Sequence, residues 1–275
     1  MARRSCFETS HCRRDNRTAV SERLQKLLAS AGHGSRRQIE QWIRDRRLTV
    51  DGHVAQLGER AEAGADIRLD GEALQSGHAS CSAREVLIYH KPVSEVTTRA
   101  DPQGRPTVFE RLPAPRAGRW VVIGRLDVNT TGLLLFTNDG ALAHRLMHPS
   151  SEVEREYLVQ VRGAPSAAVL EQLRQGLVLE DGLARFDRIE PLPEPAGRSA
   201  WGAAAGGGGG GGGPTQTAFQ VVLHEGRNRE VRRLWQAAGF EVSRLIRLRY
   251  GAVRLPPDLR PGQYRAMPAA QAALL

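Results

Sequence analysis

The spacing of apolar residues divides the chain into helical and extended stretches. Leu24, Leu27, Leu28 and Ala31 recur at i, i+3, i+4 and i+7, which predicts one apolar stripe on a helix beginning near Ser21. Gly32-His33-Gly34 ends it, and Ser35 with Gln38 has the spacing of a capping box for a second helix that turns Ile39, Trp42 and Ile43 inward. Two helices so closely joined form an αα-hairpin. Leu48-Thr49-Val50 and His53-Val54-Ala55 flank Asp51-Gly52, a hairpin signal, and Ile67-Arg68-Leu69 with Asp70-Gly71 reads as another short strand and turn. Residues 73–83 are small and polar and read as a linker.

The pattern then changes to short apolar runs. Val86-Leu87-Ile88-Tyr89 predicts a strand, and Arg105-Pro106-Thr107-Val108-Phe109 is expected to open a short helix. Trp120-Val121-Val122-Ile123 and Leu133-Leu134-Leu135-Phe136 have the length and composition of buried strands. Ala141 to Met147 should be helical, stopped by His148-Pro149. Glu156 to Val161 alternates, with Tyr157, Val159 and Val161 on one face. Pro165 to Gly176 predicts a helix with Val169, Leu170 and Leu173 inward. Phe219 to Leu223 resumes the sheet before a turn leads into a helix reaching Trp235.

The chemistry gathers around Gly124 to Gly140, GRLDVNTTGLLLFTNDG. Here Arg125-Leu126-Asp127 is a polar loop between two core strands, and Asn129, Thr130, Thr131 and Gly132 are turn formers. From composition alone Asp127 is equally a turn aspartate or a reactive carboxylate on a rigid mount. Ser-His-Asp hydrolysis lacks a nucleophile elbow, since no G-x-S-x-G occurs, and phosphoryl transfer lacks a Walker loop. His144 and His148 have zincin spacing, but Arg145 stands where a glutamate is needed, so packing or capping is the better reading and no metal is expected. A lone carboxylate suits covalent catalysis on a sugar or base carbon. It must then be ionised, which in a desolvated pocket needs a neighbouring cation.

Charge adds a partner class. The 275 residues carry a net +9 with a pI near 10.4, which favours nucleic acid or an acidic membrane surface unless it reflects only a genome-wide arginine bias. Arg227 to Arg254 holds eight arginines against Glu230 and Glu241, the densest positive field in the chain. On the helical hairpin, Arg36, Arg37, Arg44, Arg46 and Arg47 lie away from the apolar stripe. Residues 1–20, with five arginines, read as a disordered basic tail. Cys6, Cys12 and Cys81 have neither metal nor disulfide spacing, and with no membrane-length apolar run or secretory signal, a cytoplasmic location is expected. Residues 193–217 include eight consecutive glycines, Gly206 to Gly213, and read as a flexible insertion. They satisfy GxGxxG only trivially, because no strand precedes them and no helix follows.

The stretch GRLDVNTTGLLLFTNDG resembles the catalytic motif of the RsuA/RluB group of pseudouridine synthases, which isomerise uridine in ribosomal RNA. The resemblance implies Asp127 as nucleophile. Through GRNREVRRL it implies Arg232 as the arginine paired with Asp127, and through REYLV it implies Tyr157 as the ring that stacks on the uracil. Without it, Tyr157 reads as a core aromatic and Arg232 as a phosphate clamp. Arg125 and Leu245 join the expected substrate site, and Arg227, Asn228, Arg229, Arg233 and Arg247 the RNA contacts. Residues 21–72 resemble the S4 RNA-binding domain. DPQGRPTVFERLP, LMHPSSEVEREYLV and EGRNREVRRLWQAAGFEVSRLIRLRYG point to the large-subunit branch, hence to 23S rRNA. The alternatives are the same reaction on 16S rRNA and a non-catalytic RNA binder. Isomerisation has no redox or group-transfer partner, so no cofactor is expected, and a monomer that requires neither a membrane nor a protein partner is expected. The expected fold is α+β: tail 1–20, S4-like domain 21–72, linker 73–83, and a mixed, mainly antiparallel synthase domain 84–268.

Overall fold

The computed structural model describes residues 21–62, 64–74, 84–193 and 216–275. The basic tail, most of the linker, nearly all of the glycine-bearing loop and all three cysteines lie outside the described residues. The chain divides into two compact units, Met1–Cys81 and Ser82–Leu275.

In the first unit, β1 (Glu22–Arg23) leads into α1 (Leu24–Ser30) and α2 (Arg36–Arg44). Ser35 caps α2 by accepting the amide of Gln38 at 3.1 Å. Then follow β2 (Leu48–Val50), β3 (His53–Val54), β4 (Arg60–Ala61), β5 (Ile67–Leu69) and β6 (Glu72–Leu74). Four of these form an antiparallel sheet in the order β3-β2-β5-β6. Its two tight turns are Asp51-Gly52 and Asp70-Gly71, where both residues of each pair have positive φ. The apolar stripes of both helices meet Leu48, Val50 and Ile67 in one core.

The second unit is built on β7 (Val86–Lys91), β8 (Val121–Ile123), β9 (Thr131–Thr137), β10 (Arg155–Arg162), β11 (Leu177–Leu179), β12 (Gly182–Ala184), β13 (Arg188–Leu192), β14 (Gln216–Leu223), β15 (Val242–Tyr250), β16 (Val253–Arg254) and β17 (Tyr264–Ala266). Its helices are α3 (Gly140–Met147), α4 (Ala167–Gln175), α5 (Glu230–Ala237) and α6 (Ala269–Ala273). The main sheet runs β13-β14-β10-β15-β9-β7-β17, with β8 on β9 and β16 on β15. Every pairing in it is antiparallel except β9 with β15. Residues of β7 and β9 alternate between two cores. Leu87, Tyr89, Leu134 and Phe136 pack with α4 and α5, whereas Val86, Ile88, Leu133 and Leu135 pack with α3 and α6. Burial on both faces explains why these strands read as unbroken apolar runs.

One expected element is absent. Residues 105–109 form no helix, because Val96 N donates to Pro106 O at 2.9 Å and Val108 N to Val96 O at 3.1 Å. These bonds hold Thr107 in an extended bridge. Only i to i+3 turns remain, at Thr107–Glu110 and Phe109–Leu112. His148 proves to be a cap: its Nδ1 accepts the amide of Ser150 at 3.3 Å.

Candidate active site

The loop between β8 and β9 is held through its main chain. Gly124, at φ +74°, turns the chain out of β8. Six consecutive carbonyls then find donors: Arg125 O from Arg247 Nη1, Leu126 O from Thr97 Oγ1, Asp127 O from Thr130 N, Val128 O from Ser94 N, Asn129 O from Arg232 Nη2 and Thr130 O from Lys91 Nζ. The bonds to Leu126, Asn129 and Thr130 lie between 2.8 and 2.9 Å. Three of the six donors are cationic. This mount is far stiffer than a free surface turn, as a reactive side chain requires.

Lys91 is 0 % exposed, and its ammonium spans Pro92 O and Thr130 O, each at 2.9 Å. Burial pulls its pKa down to about 8, against the attraction of Glu95 and Asp127.

Asp127 borders a cavity of about 370 Å³, large enough for an extruded nucleoside. Tyr157 stands in its wall, on β10 directly across from Arg247 of β15. Arg125, Leu245, Arg227, Asn228, Arg229 and Arg247 line it as well. Eight of the ten residues singled out from the sequence in the second unit therefore share one cavity, the exceptions being Arg232 and Arg233.

Arg229 makes the ion pair seen at Asp127, its Nη1 lying 3.7 Å from Asp127 Oδ2, while Arg232 acts on that carboxylate through longer-range attraction. Arg229 has left-handed backbone, φ +49°, immediately ahead of α5, and Arg232 sits within the helix beside the start of β15. Its guanidinium donates to Val242 O and Asn129 O, each at 2.9 Å. It lines a neighbouring cavity with Asn129, Phe240 and Glu241, and Arg229 borders both spaces. Burial, then repulsion from Arg229, lowers the Arg232 pKa, while Asp127 and Glu241 oppose the shift. Arg232 thus steadies the loop that carries Asp127.

Arg233 is also engaged away from the cavity, in a two-pronged pair with Asp181 at 2.7 and 2.8 Å. Arg227 reaches Asp181 O and Leu183 O, tying the β11–β12 hairpin to the start of α5. Glu230, buried in the cavity wall, accepts the amide of Arg227 at 3.1 Å, and burial raises its carboxyl above the usual range.

Among the charged and aromatic wall residues, Arg155, Glu230 and Tyr250 were given no role by sequence reasoning. Only the basic character of Arg155, two residues before Tyr157, offered a signal. In the first unit all five arginines are exposed, but Arg47 is clamped by Asp70, with Nε at 3.0 Å from Oδ1. Among the described residues the other four make no ion pair.

Residues 85–237 match the model of the RNA pseudouridylate synthase family and residues 22–67 that of the S4 domain. The chain belongs to the RNA pseudouridylate synthase family. It is 50% identical over 248 residues to the ribosomal large subunit pseudouridine synthase B of Pseudomonas aeruginosa, covering 90% of this chain and 60% of that protein. To the protein of the same name from Escherichia coli K12 it is 51% identical over 254 residues, covering 92% of this chain and 81% of the relative. The chain thus spans about three fifths of the first relative's length and about four fifths of the second's. A solved pseudouridylate synthase shares the fold with a TM-score of 0.59 at 24% identity, covering 91% of this chain and 98% of that one.

Proposed function

We propose that this protein isomerises a specific uridine of 23S ribosomal RNA to pseudouridine. The observation that carries the reading is the cavity itself: one carboxylate on a clamped loop, Arg229 beside it, and the Tyr157 ring in the same wall.

In this reading, exposed Arg36, Arg37, Arg44 and Arg46 contact RNA phosphates together with Arg125 and Arg229 at the cavity rim, a salt-sensitive contribution. The target uridine leaves its stack, at roughly a few kcal/mol. Stacking on Tyr157 and contact with Leu245 offset part of that, stacking being worth about 1–3 kcal/mol. Asp127 then engages the ribose or base so that the C1′–N1 bond opens, the uracil turns, and C5 joins C1′. Isomerisation needs no redox or group-transfer partner, so no cofactor enters. The protein acts as a monomer in the cytoplasm. Among the described residues no helix is long and apolar enough to cross a membrane.

The test is incubation of the purified protein with unmodified 23S and 16S transcripts, followed by mapping of pseudouridine. The expected result is one modified position in 23S RNA. Modification of 16S RNA alone would reassign the substrate, and no modification of either would remove the catalytic reading.

A further inference from the structure

The cavity wall holds two buried guanidinium groups that have no counter-ion among the described residues. Arg247 is 1 % exposed. Its Nε donates to Leu133 O at 2.8 Å and its Nη1 to Arg125 O at 3.4 Å, while Nη2 is buried with no protein partner. Arg155, 9 % exposed, donates through Nη1 to the carbonyls of Val153, His224 and Glu225, and through Nη2 to Tyr250 Oη at 3.4 Å. Both guanidinium carbons lie 5.1 Å from the centre of the Tyr250 ring. The two carboxylates of the cavity wall are engaged elsewhere, Asp127 by Arg229 and Glu230 by the amide of Arg227.

Two buried cations satisfied only by carbonyls, a hydroxyl and a ring face leave a local excess of positive charge. Neutral acceptors offset desolvation only partly, so an anionic ligand gains here. RNA brings negative charge in two forms. Its phosphates remain in the continuous backbone, and an extruded nucleotide enters base first, so they stay at the cavity mouth. The base reaches the buried wall, and it becomes anionic only when it is detached.

We propose that Arg155, Arg247 and Tyr250 form a subsite for the detached uracil anion, with the two guanidiniums directed at its carbonyl oxygens. This rests on the isomerase reading above. As the C1′–N1 bond breaks, its electron pair leaves with the base and spreads over N1 and the carbonyl oxygens. Asp127 meets the electron deficiency on the ribose, either by bonding to C1′ or by taking a neighbouring ribose proton that it later returns. After the base turns, the pair on C5 closes the C1′–C5 bond. The C5 proton is lost and N1 gains one, so the sum is an isomerisation. The cavity is then polarised, with its carboxylate at the sugar and its free cations at the base. Such charge, preorganised where the reaction develops it, acts on the chemical step and not on binding.

The test is the single-turnover rate at which N1-linked uridine or 5-fluorouridine at the target is consumed by wild type, Arg247→Gln, Arg247→Lys and Arg155→Gln, with RNA affinity measured in parallel. The fluorinated base has no C5 proton to lose, so its C5-linked product keeps the fluorine and takes up water across N1 and C6. Fluorouracil departs as the more stable anion and depends less on the guanidiniums. Arg247→Gln is expected to slow the uridine substrate about 100-fold and the fluorinated one about 10-fold or less, with RNA affinity within about threefold. Arg247→Lys and Arg155→Gln should show the same asymmetry, and they decide the matter if Arg247→Gln does not melt cooperatively. Equal slowing of both substrates, or a loss of affinity as large as the loss of rate, overturns the subsite. A wild-type protein inactive on rRNA would overturn the isomerase reading itself, a different result from an active enzyme with no asymmetry.

Discussion

Gly132→Ala isolates the contact that brings the two halves of the site together. Gly132 is the second of the two residues in the parallel pairing of β9 with β15, opposite Arg247, at φ +109°. A Cβ there would lie 2.4 Å from Arg247 O, 2.6 Å from Arg247 N and 2.9 Å from Ile246 Cγ2. Two of those atoms are main chain and cannot swing aside. The backbone conformation costs an L-residue about 1–3 kcal/mol, and overpacking adds about 1–3 kcal/mol. Relief of the clash requires the strands to part by roughly 1 Å, weakening bonds worth about 1 kcal/mol each. The expected destabilisation is about 4 kcal/mol, a large share of a domain's usual stability. Urea denaturation checks it, with Gly140→Ala as control: a Cβ added at Gly140 would meet nothing within 4 Å, and its φ is not positive. The control should be neutral or slightly stabilising. A Gly132→Ala protein within about 1 kcal/mol of wild type would refute this account of the strand junction.

Arg232→Lys should lower the single-turnover rate by about 10- to 100-fold with RNA affinity unchanged, because a lysine point charge cannot span Asn129 O and Val242 O; an unchanged rate removes its positioning role. Lys91 is held below the ordinary lysine value of 10.5, at about 8. Between those values the unfolded chain binds more protons than the folded one, so this residue's contribution to stability rises with pH across that window, by at most about 3 kcal/mol. Denaturation of wild type and Lys91→Met from pH 7.5 to about 10.5 should show that rise in wild type alone, and parallel curves would contradict it. Replacing Arg36, Arg37, Arg44 and Arg46 together by alanine should flatten the salt dependence of RNA binding by about 0.7–0.9 per lost contact. Arg47→Ala should change it less, since Asp70 already holds that fork.

Local signals revealed the elements, and pairing register decided the site. Asp51-Gly52 and Asp70-Gly71 fixed hairpins through their own backbone preferences, and the runs around Asp127 marked strands buried on both faces. The helix expected at 105–109 failed because hydrogen bonds to distant Val96 outweighed local propensity. The approach of Arg229 to Asp127 follows from a left-handed residue at the helix start, which no spacing rule reports. Arg155, Arg247 and Tyr250 meet only because β10 pairs with β15 across a bulge between Glu156 and Tyr157. Sequence periodicity cannot locate such a register shift.

Single-turnover pseudouridine formation on 23S RNA by wild type and Asp127→Asn, with RNA affinity followed in the same samples, tests the central claim most directly. The account predicts full conversion by wild type and no product from Asp127→Asn, at an affinity within about threefold of wild type. Product formation by Asp127→Asn at a comparable rate would contradict it.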